Sequence, residues 1–308
     1  GFIAGYALHP YRPRPTADWA RARELWRFGR WVLVSAILGL LLGQGDDLFV
    51  GKMLGATALG LYQMAYRIAS IPATEFAQRL AIVLFPAYSA LQHDRPRLRN
   101  AYLKALRLSA LVCFPVTGGL VVLAGDFTAL LLGENWLAAV PVIRALALVG
   151  LLNSLVNARP LLLAMGRPEV NTRLQVLRLA LIAVLIYPLT AGLGMVGTGA
   201  ALCASALITE TLALLTVLRL LGLPRRRAAG PLLLPMSSAA VMMGVVYALA
   251  SWGVPGSRLA GFGLLILAGA AVYGGLALLH DVLFRTGNLA LIREQLRALR
   301  GGGPGARR

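Results

Sequence analysis

The sequence predicts an all-α polytopic membrane protein with about eight transmembrane helices, and two observations carry that prediction. The chain of 308 residues is 58% hydrophobic and only 14% charged, where a soluble domain has about a quarter of its residues charged; its mean hydropathy is +0.73. The apolar residues also come in long runs, from about Trp31 to near Phe284, separated by short breaks rich in arginine, glycine or proline. A helix needs about 20 apolar residues to cross a bilayer. A membrane barrel would need alternating strands of about 10, which these Leu- and Ala-rich runs do not provide.

The runs place spans at 31–50, 58–86, 108–126, 137–163, 174–192, 195–221, 231–252 and 259–284. Pro72 and Pro86 are expected to kink the long second span, because proline removes a donor from the helical ladder. The spacing Gly39-x-x-x-Gly43 allows close approach of another helix. Two polar stretches, 92–107 with Leu98, Tyr102 and Leu106, and 285–308 with Leu289, Ile292, Leu296 and Leu299, have apolar residues at helical spacing and suit short helices on the membrane surface. The opening "GFIAGYALHPYRPRP" reads as the last turns of a helix entering a basic loop, stopped by Pro10, Pro13 and Pro15, so helices are expected upstream. The final "GGGPGARR" has the composition of a disordered end.

The net charge of +18 is a matter of topology. Arginines crowd alternate breaks: Arg12 to Arg30 before the first span, Arg95 to Arg107, Arg167 and Arg173, Arg219 to Arg227, and the tail from Arg285. Only Lys52 and Arg258 occupy the intervening breaks. The positive-inside rule puts the basic breaks and both ends of this chain on the cytoplasmic side of the membrane. Nucleic acid is not an expected partner; anionic lipid headgroups are a secondary one. Cys113 and Cys203 lie inside apolar runs as small hydrophobes, and His9, His93 and His280 form no ligand spacing, so no metal, disulfide or cofactor is expected. No phosphate-binding loop occurs, and no loop carries a hydrolytic constellation, so no catalytic residues are assigned and the chain reads as no enzyme.

Charges inside the spans are the candidate functional residues, because ionisable groups at membrane depth are costly and mark substrate or ion paths. Arg67 lies about nine residues into the second span, roughly 14 Å deep and near the midplane. With Arg144 and Arg178, and beside Tyr62 and Gln63, it is a candidate for the substrate cavity. Asp46, Asp47, Glu75 and Glu210 are candidates for ion coupling, although Asp46 and Asp47 also fit a solvated helix end and Glu75 can pair with Arg79 four residues on. Tyr62 and Tyr66 equally fit helix packing. Arg159, near the inner edge, can snorkel to the surface. Together these charges suggest a polar, net cationic interior suited to an anionic substrate.

The strings "DDLFVGKMLGATALGLYQMAYRIASIP" from Asp46, "LFPAYSALQ" from Leu84, "LLGENWLAAVPVIRALAL" from Leu131 and "LLAMGRPE" from Leu162 resemble, in that order, the polysaccharide transporter family. This is the Wzx-type O-antigen and exopolysaccharide flippase group of the multidrug/oligosaccharidyl-lipid/polysaccharide exporter superfamily. The resemblance runs from about Phe28 to Arg173 and implies a MATE-like plan of two six-helix lobes around a central cavity. On that plan 1–30 is the end of a preceding helix and a basic loop, 31–221 the second lobe, 222–284 an additional helix pair and 285–308 a cytoplasmic tail. The N-terminal lobe of the same protein would be a partner. The resemblance implies flipping of undecaprenyl-pyrophosphate-linked oligosaccharide by alternating access, driven by an ion gradient, for lipopolysaccharide or exopolysaccharide biosynthesis. Arg67 would then attract the pyrophosphate or balance a carboxylate. A lipid II flippase and a multidrug exporter of the same superfamily stay open as alternatives. A membrane polymerase or ligase is disfavoured by the short predicted outer loops.

Overall fold

The computed structural model describes residues 19–253 and 257–284. The readings of the opening helix end, most of the first basic loop and the tail lie outside them. The described elements are helical: α1 (Trp19–Leu54), α2 (Ala56–Leu91), α3 (Arg95–Leu131), a 3-10 turn (Glu134–Ala139), α4 (Val140–Leu155), α5 (Ala158–Ala164), α6 (Pro168–Leu221), α7 (Arg225–Trp252) and α8 (Arg258–Phe284). Among the described residues six stretches are long and apolar enough to cross a membrane, or seven when the bent halves of α2 count as one span. The expectation of about eight is met because α6, at 54 residues, would be about 80 Å long if straight, far more than a bilayer's roughly 30 Å core.

Gly194 folds α6 back on itself. Its φ of 59° and ψ of −141° are open to glycine and strained for any other residue. The two legs then meet so closely that a Cβ on Gly197 would lie 1.9 Å from the Leu189 carbonyl oxygen. The Thr190 and Thr198 hydroxyls share a buried hydrogen bond of 2.9 Å across the hairpin. Residues 174–192 and 195–221 are therefore two legs of one turned element, as the spans anticipated.

The polar stretch 92–107 departs from expectation. It forms the first turns of α3 itself rather than a separate surface helix. Asp94 caps that helix by accepting from the Arg97 amide at 3.1 Å. Leu98, Tyr102 and Leu106 are buried against Leu84 and Tyr88 of α2, Leu161 and Leu162 of α5, and Val217 and Leu221 of α6. Their spacing defines a core stripe. At this end Arg95 donates to the Leu220 carbonyl at 2.7 Å and Arg99 to the Leu221 carbonyl at 2.5 Å. Both cations meet the carbonyls left without helical partners where α6 ends at Gly222.

A second core packs α1, α2, α4 and α6 around Val50, Tyr62, Ala65, Ile143, Leu146, Ile182 and Leu202. A third seats α7 and α8 on α3 through Leu123, Met242, Val246, Leu265 and Tyr273. Gly118 lets α7 approach, since a Cβ there would sit 3.0 Å from the Met243 side chain, and Tyr273 ties α8 to the Leu111 carbonyl at 3.0 Å. Gly39 and Gly43 have no neighbour at such range, so the Gly-x-x-x-Gly spacing makes no close helix contact here.

Two breaks shape the interior. The halves of α2, Ala56–Ser70 and Glu75–Leu91, are bent by 50° around 71–74, where Pro72 withholds its hydrogen bond; the helix then continues through Pro86. The fourth span is interrupted at Asn157, whose φ is 46°. Its side-chain amide donates to the Ser154 and Leu155 carbonyls at 3.2 and 3.3 Å, and Tyr102 donates to the Val156 carbonyl at 3.1 Å. The carbonyls released by the break thus find partners without water, as membrane depth demands.

Candidate functional site: a polar cavity among the helices

Between the first two cores lies a cavity of about 720 Å³ bounded by α1, both halves of α2, α4, α5 and both legs of α6. Gly39 and Gly43 line it, which is where their missing side chains leave room. Four charged residues face it: Asp46 from α1, Arg159 from α5, and Arg178 and Glu210 from the two legs of α6. Tyr66, Gln78, Asn153, Asn157, Asn171 and Gln175 add polar groups.

Asp46 is 4% exposed. Its Oδ2 accepts the Tyr62 hydroxyl at 2.7 Å, while its Oδ1 is buried with no hydrogen-bond partner. Arg178 donates to the Asn153 side-chain oxygen at 2.8 Å and has Glu210, Tyr66 and Asp46 as its electrostatic neighbours; its Nε is buried without a partner. The Gln175 side-chain oxygen is a third such atom. Buried polar atoms are nearly always paired. Three unpaired ones on the wall of one cavity mark it as a place where ligands, ions or water complete the bonding.

The sequence candidates divide. Asp46, Arg178 and Glu210 come together on the cavity wall. Tyr62 sits behind Asp46 and orients it, fully buried. Asp47 accepts from Gln63 at 3.1 Å, and both line a separate recess of about 750 Å³ with Lys52 near the α1–α2 turn. Arg67 is exposed and does not line the cavity. Arg144 is exposed too, with its Nε donating to the Val121 carbonyl at 3.0 Å. Glu75 and Arg79 form an exposed ion pair at 3.7 Å, as their spacing suggested. The expected net cationic interior is corrected here: two carboxylates and two guanidinium groups line the cavity, because Arg67 and Arg144 stand outside it while Arg159 lines it.

Sequence reasoning missed the carboxamides. The signal was present in Asn171, Gln175 and Arg178, spaced i, i+4 and i+7 on one helical face where the basic break passes into the apolar run. Asn153 and Asn157 share that spacing in the neighbouring span, although the helix breaks at the second.

Residues 1–141 match the family described as "Polysaccharide biosynthesis protein". The chain is 34% identical over 160 residues to the teichuronic acid biosynthesis protein TuaB of Bacillus subtilis (strain 168), a match covering 52% of this chain and 33% of that one. It is 32% identical over 169 residues to the lipopolysaccharide biosynthesis protein WzxC of Escherichia coli (strain K12), covering 54% and 34%. The matched part thus spans about a third of the length of these two curated relatives. Among solved structures, the lipid II flippase MurJ in an inward closed conformation has the same fold: TM-score 0.68 at 16% identity, over 92% of this chain and 59% of that chain. Residues 1–141 and these relatives thus point the same way as the sequence motifs: over the matched part the chain is similar to polysaccharide biosynthesis proteins.

Proposed function

We propose that this chain supplies a lobe of a flippase that moves undecaprenyl-pyrophosphate-linked oligosaccharide across the bacterial inner membrane, for lipopolysaccharide or exopolysaccharide biosynthesis. The observation that carries the proposal is the polar cavity itself, of about 720 Å³ and walled by membrane-spanning helices. An apolar bundle gains nothing by keeping charged and amide groups at that depth unless they serve a passage. The chain works as a transporter rather than as an enzyme. Its expected partners are membrane lipid, the lipid-linked oligosaccharide and an N-terminal lobe of the same protein, with 31–221 as the second lobe and 222–284 as an added helix pair.

Transport proceeds by alternating access, and an ion gradient drives it. Asp46 and Glu210, which bring carboxylates from two different helices to the cavity, are the ion-coupling pair. The bends at 71–74 in α2 and at Asn157 supply places where the walls can move relative to each other. Both ends of the chain face the cytoplasm, in keeping with the arginines gathered where α3 begins and α6 ends.

Reconstitution into liposomes with a fluorescent undecaprenyl-pyrophosphate oligosaccharide, under an imposed pH or sodium gradient, tests the proposal. Gradient-dependent translocation is the expected result. Absence of translocation by folded protein across several glycans, with movement of cationic drugs instead, would replace it by drug export. Selective movement of lipid II would assign the cargo to cell-wall synthesis.

A further inference from the structure

We propose that the cavity is a subsite for the neutral, hydroxyl-bearing sugars of the cargo, centred on Gln175 with Asn153 and Asn157, and that it does not take the pyrophosphate. The inference rests on the flippase function proposed above and assigns one part of the substrate to this lobe.

Charge is the first ground. Asp46 and Glu210 stand against Arg159 and Arg178, so the wall is formally neutral. Arg178 is also engaged, by the Asn153 oxygen at 2.8 Å and by the neighbouring carboxylates Glu210 and Asp46. A pyrophosphate entering here would meet both carboxylates along with the two guanidinium groups, so the wall offers it no net attraction.

The second ground is the kind of polar group present. Five carboxamides, Gln78, Asn153, Asn157, Asn171 and Gln175, line this one cavity. A carboxamide offers both donors and an acceptor, as a sugar hydroxyl does, and carries no charge that must be neutralised. Their existing bonds leave complementary halves. Asn153 spends its oxygen on Arg178 and keeps its amide donors. Asn157 spends its amide on Ser109, Ser154 and Leu155 and keeps its oxygen. The Gln175 oxygen is buried and unmatched. A buried acceptor without a donor is a standing cost that a hydroxyl proton removes. Tyr66 and Phe85 on the same wall add aromatic surface for the C–H side of a sugar ring.

The test compares binding of two probes to the purified chain by native mass spectrometry: undecaprenyl-pyrophosphate bearing a neutral oligosaccharide, and undecaprenyl-pyrophosphate without sugars. The wild type is expected to prefer the glycosylated lipid, and Gln175→Leu to lose about three- to tenfold for that lipid alone, the size of one neutral hydrogen bond. The sugar-free lipid serves as the internal check on folding; Gln175→Met, closer in length and flexibility, replaces the leucine variant if that one does not fold. Equal loss for both lipids, or no loss for either, overturns the sugar subsite and leaves the flippase proposal standing. Failure of the folded wild type to bind either lipid overturns both.

Discussion

Tyr62 of α2 donates its hydroxyl to Asp46 of α1 at 2.7 Å, and one residue further along each helix Gln63 donates to Asp47 at 3.1 Å. The two rungs differ in surroundings: Tyr62 is fully buried and Asp46 nearly so, while Gln63 is exposed. Tyr62→Phe would leave Asp46 with neither oxygen hydrogen-bonded by a side chain, at a cost of about 1–3 kcal/mol. Thermal unfolding in detergent should show a clear loss for Tyr62→Phe and a smaller one for Gln63→Leu. In an Asp46→Asn background the tyrosine variant should lose less, since the partner is then neutral. Equal losses in the two backgrounds would mean that the hydroxyl does nothing for the carboxylate.

The break at Asn157 offers a separation of two effects. Its positive φ is a conformation that glycine adopts freely and alanine does not, and its amide serves three acceptors. Asn157→Gly loses the hydrogen bonds alone, whereas Asn157→Ala loses them and strains the backbone by about 1 kcal/mol more. The alanine variant should therefore melt below the glycine variant. Tyr102→Phe should cost about 1–3 kcal/mol by orphaning the buried Val156 carbonyl.

Gly197 cannot carry a side chain where it stands, because its Cβ position lies against the Leu189 carbonyl. Gly192, in the same hairpin, has open space beside it. Gly197→Ala should thus lower the yield of folded protein or its melting temperature far more than Gly192→Ala, which the same expression and melting assays would show side by side. Similar tolerance at both positions would mean that the legs of α6 pack more loosely.

Much of this architecture was legible in the sequence for one reason: bilayer crossing is written in run length, and 195–221 could be told from 174–192 although the two form one folded element. The direction of a side chain around its helix is written far more faintly. Arg67 and Arg144 have the depth of cavity residues, yet both face outward, and depth counts residues without fixing rotation. Asp46 stood at a plausible helix end and turned out buried, because Tyr62 from the next helix reaches it, a pairing 16 residues apart that no local pattern records. Arg159 shows the converse. Position near an inner edge suggested snorkelling; Arg159 is exposed, and it also lines the cavity from the short helix that begins after the break at Asn157, a helix that run length alone does not reveal.

The two classes of candidate carboxylate should part in transport. Glu75 forms its ion pair with Arg79 in the open, at side-chain exposures of 55% and 82%, where such pairs contribute little and water screens them. Glu210 and Asp46 face the cavity beside Arg178, so removing either charge leaves that guanidinium less balanced and withdraws an ion ligand from the proposed coupling site. Glu75→Gln should leave gradient-driven flipping in liposomes within about twofold of wild type, whereas Glu210→Gln and Asp46→Asn should each lower it by about tenfold or more. Because a structural fault would also slow flipping, the informative readout is the ratio of rates with and without the gradient. A coupling carboxylate, once neutralised, should bring that ratio toward one while the protein still equilibrates lipid slowly. A variant that slows both rates in proportion and keeps the ratio would show that its carboxylate supports the fold or the passage of cargo and takes no part in harnessing the ion.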